Sequence, residues 1–185
     1  MKVRDLGLGG VKEITPARHG DARGVFSEIW NADAYSAAGA SADWMQDNHS
    51  WSAEKHVLRG LHFQTPPFSQ VKLVRPITGA IFVAVADIRH GSPTFAQWTS
   101  VVLSAEVGNQ IFVPEGFAHG FLTLTPDVHV TYKVSAPYAP DHDRGVRYDD
   151  PAIGVAWPLE GAAPILSRKD EAAPLLGDID TGFRY

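Results

Sequence analysis

Short extended segments, separated by turns rich in glycine and proline, constrain this chain more than any other feature of its sequence. Seventeen glycines and thirteen prolines break up 185 residues, and residues 79–87 are nearly all apolar, as expected of a strand buried on both faces. Before the C-terminal tail, only residues 32–38 favour a helix, with Asn31 as N-cap and Gly39 at its end. Regularly spaced short strands predict an all-β sandwich or barrel. We place the strands at residues 10–18, 25–30, 44–50, 52–57, 71–77, 79–87, 95–103, 110–113, 117–124 and 128–135, with a turn or loop at 19–24.

The length and the distribution of prolines predict one domain that spans residues 1–185. We expect its core at residues 40–136, with the N-terminal strands within 10–38 packed on it. Residues 137–185 contain six prolines and little periodicity, so they are predicted to form an ordered tail that wraps the β core. Within the tail, Ser167 is expected to cap a short helix.

Composition excludes several classes of function. The chain has no cysteine, which rules out a disulfide framework and a thiolate metal site. A net charge of −5 and a pI near 5.9 argue against non-specific binding of nucleic acid, although a few local cations can still bind an anionic small molecule. The sequence has no apolar run of about 18 residues and no signal-peptide core, so we expect no membrane segment and a cytoplasmic location.

The stretch Arg59-Gly60-Leu61-His62-Phe63-Gln64, followed by Lys72, carries the strongest chemical signal. Alternate side chains of a regular strand share a face. The odd-numbered side chains, including Arg59, would then point one way and the even-numbered ones, including His62, the other. A histidine that faces a strand-lined interior with cations nearby indicates proton chemistry on an anionic ligand. The alternative is a structural histidine in the core, satisfied by a carbonyl group.

A second polar pattern lies upstream, where the even-numbered residues of an extended segment are amides and hydroxyls. A row of this kind on one strand face suits a polar ligand, and a solvated sheet face is the alternative. Its members are Gln46, Asn48, Ser50 and Ser52.

Residues 108–119 match the second motif of the cupin jelly rolls, G-x5-P-x-G-x-x-H, which ends here at His119. The glycines and the proline shape a turn, and the histidine projects from the next strand into the barrel. The first cupin motif normally offers two histidines and a following glutamate to a metal, but this chain has His62, then Gln64 and no nearby glutamate. Because such a donor set is poor for a divalent ion, we predict a jelly roll without a metal or other cofactor, whose imidazoles are free for acid–base work.

With these motifs in place, the sequence resembles the dTDP-4-dehydrorhamnose 3,5-epimerase family. The resemblance runs in order from about Asp21 to Asp170, and a chance match of so many ordered blocks is very improbable. The matching blocks are Arg23-Gly24-Val25-Phe26-Ser27-Glu28, Gln46-Asp47-Asn48-His49-Ser50, Arg59-Gly60-Leu61-His62-Phe63-Gln64, Lys72-Leu73-Val74, Asp87-Ile88-Arg89, Ser92-Pro93-Thr94, Pro114-Glu115-Gly116-Phe117-Ala118-His119-Gly120-Phe121, Asp149-Asp150-Pro151, Trp157-Pro158 and Ser167-Arg168-Lys169-Asp170.

The resemblance implies a homodimeric, metal-free jelly-roll isomerase whose sites are shared across the dimer interface. Its partner would be a nucleotide-diphosphate sugar, a dTDP-linked 4-keto-6-deoxyhexose that is inverted at C3, C5 or both. The C4 ketone acidifies the hydrogens on both neighbouring carbons, so the reaction needs a base, an acid on the opposite face and a cation at the enolate oxygen. The resemblance assigns these roles to His62, oriented by Asp170, to Tyr132 and to Lys72.

The resemblance also implies a substrate-binding set, in which cations hold the diphosphate by charge-assisted hydrogen bonds. His119 would lie near the sugar, and the residues at positions 23, 26 and 28 would reach the nucleotide from the partner subunit. The full set is Arg23, Phe26, Glu28, Gln46, Asn48, Arg59, His119 and Lys169.

One departure from the family pattern concerns the strand after Gly79. The family's first acid of that strand, which pairs with the counterpart of His119, is Val83 here, while Asp87 is kept. His119 therefore loses an anionic neighbour and should have a lower pKa and a less fixed orientation. We hypothesise that this change restricts the enzyme to one carbon or alters the preferred sugar. Two further alternatives stay open: a 3,4-ketoisomerase on a nucleotide sugar, and a catalytically silent cupin that only binds one.

Overall fold

The computed structural model describes residues 1–185 and consists mainly of antiparallel strands. They form two sheets, of six and five strands, and a separate two-stranded hairpin, which confirms the predicted all-β jelly roll. Neither helix is long and apolar enough to cross a membrane. The elements in chain order are β1 (Lys2–Asp5), β2 (Lys12–Thr15), β3 (His19–Asp21), β4 (Gly24–Phe26), α1 (Ala32–Ala37), β5 (Gln46–Ser52), β6 (Leu58–Gln64), β7 (Lys72–Thr78), β8 (Ala80–Asp87), β9 (Trp98–Ser104), β10 (Gln110–Val113), β11 (Phe117–Thr123), β12 (Val128–Val134), β13 (Asp143–Gly145) and α2 (Arg168–Glu171), with 3-10 turns at Pro140–His142 and Leu176–Asp178.

The connections cross between the two sheets, as is typical of a jelly roll. The six-stranded sheet has the order β1-β2-β10-β7-β12-β5, and the five-stranded sheet has the order β13-β6-β11-β8-β9. The β3–β4 hairpin pairs only with itself and stands outside both sheets. β5, β7 and β12 are therefore neighbours in one sheet, while β6 and β11 are neighbours in the other.

The main core draws its fourteen buried apolar residues largely from strands of both sheets, so it lies between them. Val83 and Val85 of β8 belong to this core, and each such side chain stabilises the fold by about 1.5–3 kcal/mol when it is fully buried. Ala84 and Ala86 face the opposite side of the sheet and are also fully buried. Both faces of β8 are thus covered, as predicted. The cover on the outer face comes from the tail, through Val146, Ile153 and Leu176.

Two predictions near the N-terminal half are wrong. Residues 19–24, predicted as a turn or loop, form most of the β3–β4 hairpin, and the strand predicted at 25–30 ends at Phe26. Beyond it, the backbone carbonyl of Ile29 accepts hydrogen bonds from the side chains of Tyr35 and Gln110 rather than from a partner strand.

Two strand boundaries are wrong because residues other than glycine adopt a positive φ. Residues 53–57 were predicted as a strand, but β5 ends at Ser52 and His56 has a φ of 67°. The strand predicted from residue 95 begins only at Trp98, after Ala96 with a φ of 62°. Such a φ is incompatible with an extended strand.

Both predicted helix caps are confirmed. The Asn31 side chain accepts a hydrogen bond from the backbone N–H of Ala34 at the start of α1. The Ser167 hydroxyl accepts one from the N–H of Asp170 at the start of α2. The tail also contains β13, which was not predicted and which extends the five-stranded sheet by pairing with β6.

A bulge in β6 overturns the predicted alternation of its side chains. β6 pairs with β11 so that His62 lies opposite His119 but Arg59 lies opposite Phe121, and three steps along β6 therefore match two along β11. The irregularity contains Gly60, whose φ of 112° suits only glycine. Arg59 and His62 consequently line the same cavity, although strict alternation would separate them.

Asp87 ends β8 as a fully buried carboxylate that fixes the following turn. It accepts hydrogen bonds from the Arg89 guanidinium (2.7 and 2.9 Å) and from the hydroxyls of Ser92 (2.6 Å) and Thr94 (2.7 Å). Burial works to raise the pKa of Asp87, but these hydrogen bonds outweigh it and lower the pKa to about 2. The sequence blocks at 87–89 and 92–94, which match the epimerase family pattern, therefore belong to one hydrogen-bond network around Asp87.

Candidate active site

A polar cavity of about 250 Å³ lies between the two sheets. Strands β5, β7 and β12 supply one wall, β6 and β11 supply the other, and the tail closes one side. A larger groove of about 410 Å³ lies outside the cavity, around Trp30 and Arg75, and of the four predicted catalytic residues it reaches only Tyr132. The cavity is lined by Gln46, Asn48, Ser50, Arg59, His62, Phe63, Gln64, Gln70, Lys72, Val74, His119, Phe121, Tyr132, Tyr138, Asp143 and Lys169.

His62 and Asp170 form a hydrogen-bonded pair at the edge of this cavity. The Nε2 atom of His62 contacts Oδ1 of Asp170, while the Ser167 hydroxyl donates to Oδ2 of the same carboxylate at 2.8 Å. Burial works to raise the pKa of Asp170, but the hydrogen bonds from His62 and Ser167 outweigh it and lower the pKa. The carboxylate therefore stays ionised and holds Nε2 in its protonated form. Nδ1 of His62 is left with the free lone pair of a base.

Lys72 places an ammonium group against the same cavity. It begins β7 and is 8% exposed. Burial lowers the pKa of Lys72 to about 8, and the nearby carboxylate of Asp143 only partly opposes this effect. A poorly hydrated cation of this kind is well suited to stabilise negative charge that develops on a bound ligand.

Tyr132 supplies a hydroxyl from β12 in the six-stranded sheet, and His62 lies in the other sheet. Burial raises the pKa of Tyr132, Arg59 opposes the shift and Asp143 adds to it. The phenol is therefore protonated at neutral pH and available as a proton donor. The cavity thus brings together three of the four predicted catalytic residues, His62, Lys72 and Tyr132, with His62 and Tyr132 on different sheets. The fourth, Asp170, is joined to the cavity through its contact with His62.

His119 faces the cavity next to His62, and one of its ring nitrogens has no partner. Its Nδ1 atom is buried and has no hydrogen bond. Burial, Lys72 and His62 together hold the pKa of His119 well below its usual range, which is the predicted direction. Val85 lies directly opposite His119, and Val83 lies two residues away on the same face. No carboxylate of β8 therefore reaches this imidazole from either position.

Besides His119, four of the predicted substrate-binding residues line the cavity with the catalytic group. Gln46 and Asn48 belong to the polar row of β5, and their side chains are hydrogen bonded to each other at 2.7 Å. Arg59 is held by the Ser52 hydroxyl at 3.3 Å, and Lys169 pairs with Asp143. Since Ser50 also lines the cavity, the polar row faces an interior rather than a solvated sheet surface.

Comparison with known proteins decides the family of this chain. The sequence profile described as dTDP-4-dehydrorhamnose 3,5-epimerase matches residues 5–178. The chain belongs to this epimerase family. A dTDP-4-dehydrorhamnose 3,5-epimerase of Sinorhizobium fredii is 46% identical over 185 residues, which cover 100% of this chain and 94% of the relative.

Two solved structures resemble the epimerase fold of this chain closely. The dTDP-6-deoxy-D-glucose-3,5-epimerase of Legionella pneumophila, in complex with dTDP-4-keto-L-rhamnose, has a TM-score of 0.94 and 41% identity, and the match covers 100% of this chain and 98% of that one. A 3′-monoepimerase of Streptomyces bikiniensis, in complex with dTDP-quinovose, has a TM-score of 0.86 and 35% identity, with 93% and 86% covered. The predicted cupin jelly roll is confirmed.

Three residues that the epimerase family pattern suggests for the nucleotide do not reach the cavity of their own chain. Arg23, Phe26 and Glu28 lie on or just after the β3–β4 hairpin, and all three are exposed. The Arg23 side chain contacts only Asp21, and Phe26 is 72% exposed. Within one chain, the candidate site is therefore built without them.

Three polar cavity residues of this epimerase were not predicted from the sequence: Gln70, Tyr138 and Asp143. Tyr138 and Asp143 come from the tail, where no periodicity marks a face, and the Tyr138 hydroxyl donates to Asp143 at 3.1 Å. Asp143 also contacts Lys169, so it links β13 to α2, the helix that carries Asp170. The sequence around Tyr138 and Asp143 matches no recognisable pattern, so it offered no signal for either residue.

The cupin metal position is occupied here by side chains with other partners. No group of three histidine, cysteine, aspartate or glutamate residues is arranged to hold a metal ion. Gln64, at the position of the second histidine, donates to the backbone carbonyls of Phe68 (2.7 Å) and Pro137 (3.1 Å). His62 is bonded to Asp170 through Nε2. The amide at the position of the second histidine is thus already engaged, while one ring nitrogen of His62 stays free.

Proposed function

We propose that this chain epimerises a dTDP-linked 4-keto-6-deoxyhexose at C3, C5 or both, in the biosynthesis of dTDP-rhamnose or a related deoxysugar. The observation that carries the proposal is one cavity that combines the His62–Asp170 pair with a buried Lys72 and a protonated Tyr132. This set provides a base, a cation for an enolate and an acid from another wall. These are the three groups that proton exchange next to a ketone requires.

Nδ1 of His62 acts as the base and removes the proton from the carbon beside the C4 ketone. The electron pair of the broken C–H bond forms the enolate, whose oxygen is stabilised by the Lys72 ammonium group. Asp170 stabilises the imidazolium that results. The Tyr132 hydroxyl then delivers a proton to the opposite face of the same carbon, which inverts it. Solvent restores the proton to Tyr132 and removes one from His62.

The nucleotide diphosphate is bound by the polar end of the cavity. Arg59 and Lys169 pair with the phosphate oxygens through charge-assisted hydrogen bonds. Gln46 and Asn48 supply amide groups, and the neutral His119 lies near the sugar. This binding mode needs no metal and no other cofactor from the protein.

Deuterium exchange tests the reaction directly. In D₂O with dTDP-4-keto-6-deoxyglucose, each inverted carbon should acquire one deuterium, which NMR detects at C3 and C5. A ketoisomerase would instead move the carbonyl from C4 to C3. If no 4-keto sugar shows exchange while dTDP still binds, the remaining hypothesis is a catalytically silent cupin that only binds a nucleotide sugar.

A single-carbon reaction is the second candidate, and His119 favours it. This imidazole has an unpartnered Nδ1 and lies on the same sheet face as Val83 and Val85, and the resemblance described above implies an acid at position 83. In the same D₂O experiment, exchange at only one of the two carbons supports this candidate. Efficient exchange at both carbons eliminates it.

A homodimer with shared sites explains the exposed hairpin. Arg23, Phe26 and Glu28 lie outside the cavity of their own chain, while the apolar Val25 and Phe26 are 56% and 72% exposed. In a C2 dimer, each hairpin would reach the partner's cavity and bury these side chains there. The three residues would then contact the nucleotide of the partner subunit.

Complementation between two inactive variants should reveal this sharing. His62→Ala removes the base and Arg23→Glu reverses the charge of the donated arginine, so each homodimer should be impaired. Co-expression should restore about a quarter of wild-type activity, because half of the dimers are mixed and each mixed dimer has one intact site. A mixture no more active than its components would show that Arg23 acts within its own chain or not at all.

A further inference from the structure

Gln64 is buried beside the catalytic pair, yet its side chain is directed at backbone groups rather than free for a ligand. It is 3% exposed. Its Nε2 atom donates to the carbonyl oxygens of Phe68 at 2.7 Å and Pro137 at 3.1 Å, and its Oε1 atom accepts the N–H of Ala139 at 2.9 Å. Two donors and one acceptor are used at once, and among side chains of this length only an amide offers that combination.

The two tail residues that Gln64 binds flank Tyr138, which forms part of the cavity wall. The ring of Tyr138 is largely exposed, at 57% for the residue, so packing alone does not hold it. Its backbone N–H donates to Oε1 of Gln46 at 3.1 Å, and its hydroxyl donates to Asp143 at 3.1 Å. The position of Tyr138 therefore depends on hydrogen bonds to the backbone on either side of it, and Gln64 supplies both of the flanking ones.

We propose that Gln64 is a positioning residue that acts through Tyr138 to shape the sugar-nucleotide cavity. The inference rests on the proposed epimerase function and assigns a role to the residue that replaces the second cupin histidine. Gln64 fixes the segment Pro137–Ala139, and the segment fixes the aromatic wall next to Asp143 and Lys169. A wall displaced by about 1 Å costs about 100-fold in rate when it orients the reacting groups.

A double-mutant cycle tests whether Gln64 acts through Tyr138. Gln64→Met keeps the length and apolar stem but leaves two carbonyls and one N–H without partners, and kcat/KM should fall by about 10- to 100-fold. In a Tyr138→Ala background, the same substitution should change kcat/KM by less than about threefold. A full-sized loss in that background would overturn the proposal, because Gln64 would then act by another route.

Asn109→Leu provides the matched control. Asn109 is also 3% exposed and makes three hydrogen bonds, to Val102 (2.9 Å), Ser104 (3.0 Å) and Glu13 (2.6 Å), outside the cavity. Its replacement should lower thermal stability as Gln64→Met does, while kcat/KM stays unchanged below the melting temperature. An equal loss of kcat/KM in both variants would reduce the role of Gln64 to general stability.

Gln64→Glu covers the case in which Gln64→Met does not fold. The carboxylate still accepts from Ala139 but repels the carbonyls of Phe68 and Pro137, whereas a protonated carboxyl can donate to one of them. The activity of this variant relative to wild type should therefore rise as the pH falls. If the ratio of variant to wild-type activity does not depend on pH, the proposed positioning role of Gln64 is wrong.

Hydrogen exchange separates this inference from the proposed function. The amide of Ala139 should exchange at least about tenfold faster in Gln64→Met than in wild type, whether or not the wild type turns over any sugar. If the wild type is inactive but Ala139 exchanges faster in Gln64→Met, the epimerase proposal is wrong and the positioning role of Gln64 stands. If exchange at residue 139 is unchanged, only the positioning role is wrong.

Discussion

Replacing His62 by alanine is expected to lower kcat by about 10³-fold, because general-base catalysis of this kind contributes about 10²- to 10⁴-fold. The cavity would keep Lys72, Tyr132 and the amides of β5, so dTDP should still bind with a Kd within about threefold of wild type. Loss of deuterium exchange by NMR and retained binding by calorimetry measure the two halves of this expectation.

The design of this experiment includes a positioning variant and a control. Asp170→Asn should also lower kcat, and the double variant should be no slower than His62→Ala alone, since the pair acts as a unit. His90→Ala is the matched control, because His90 stacks on Phe95 at 4.9 Å outside the cavity and its loss should leave kcat unchanged. A His62→Ala enzyme with near wild-type exchange would remove His62 from the mechanism.

Lys72→Met should lower kcat/KM by about 10²- to 10³-fold, because it removes the cation proposed to stabilise the enolate oxygen. Wild-type kcat/KM should also decline as the pH rises above the Lys72 pKa of about 8. The sign follows from the charge: burial lowers this pKa, the protonated form is the active one, and its fraction falls tenfold per pH unit above the pKa. A pH–rate profile from pH 6 to pH 10 measures this decline, which is the alkaline limb of the profile.

Lys72→Arg distinguishes the cation from other titrating groups. A guanidinium stays protonated throughout this range, so the alkaline limb should disappear even if the absolute rate is lower. Lys55→Met is the matched control, since Lys55 pairs with Glu160 away from the cavity and its loss should leave the limb in place. A limb near pH 8 that persists in Lys72→Arg would belong to a different residue.

The sequence was most informative where local chemistry and periodicity agree. The turn residues and apolar alternation predicted the jelly-roll strands, and Asn31 and Ser167 predicted both caps. For the even-numbered row of β5 the sequence left a ligand-facing row and a solvated face open, but its alternation holds because β5 has no bulge between Gln46 and Ser50.

The remaining features depend on long-range contacts that periodicity does not encode. The bulge at Gly60 arises from the register between β6 and β11, so the sequence pattern placed Arg59 and His62 on opposite faces. Tyr138 and Asp143 enter the cavity because the tail pairs with β6 through β13, more than seventy positions after that strand. The role of Gln64 was hidden for the same reason, since its partners at 137 and 139 lie in the tail.

The tail that covers Ala84 and Ala86 also carries Asp170, so the packing that buries the outer face of β8 also brings the carboxylate to His62. If the proposed role of Asp170 is correct, a change that loosens the tail should lower turnover even where the two sheets stay folded. Activity would then report on tail docking as well as on the chemistry of the cavity.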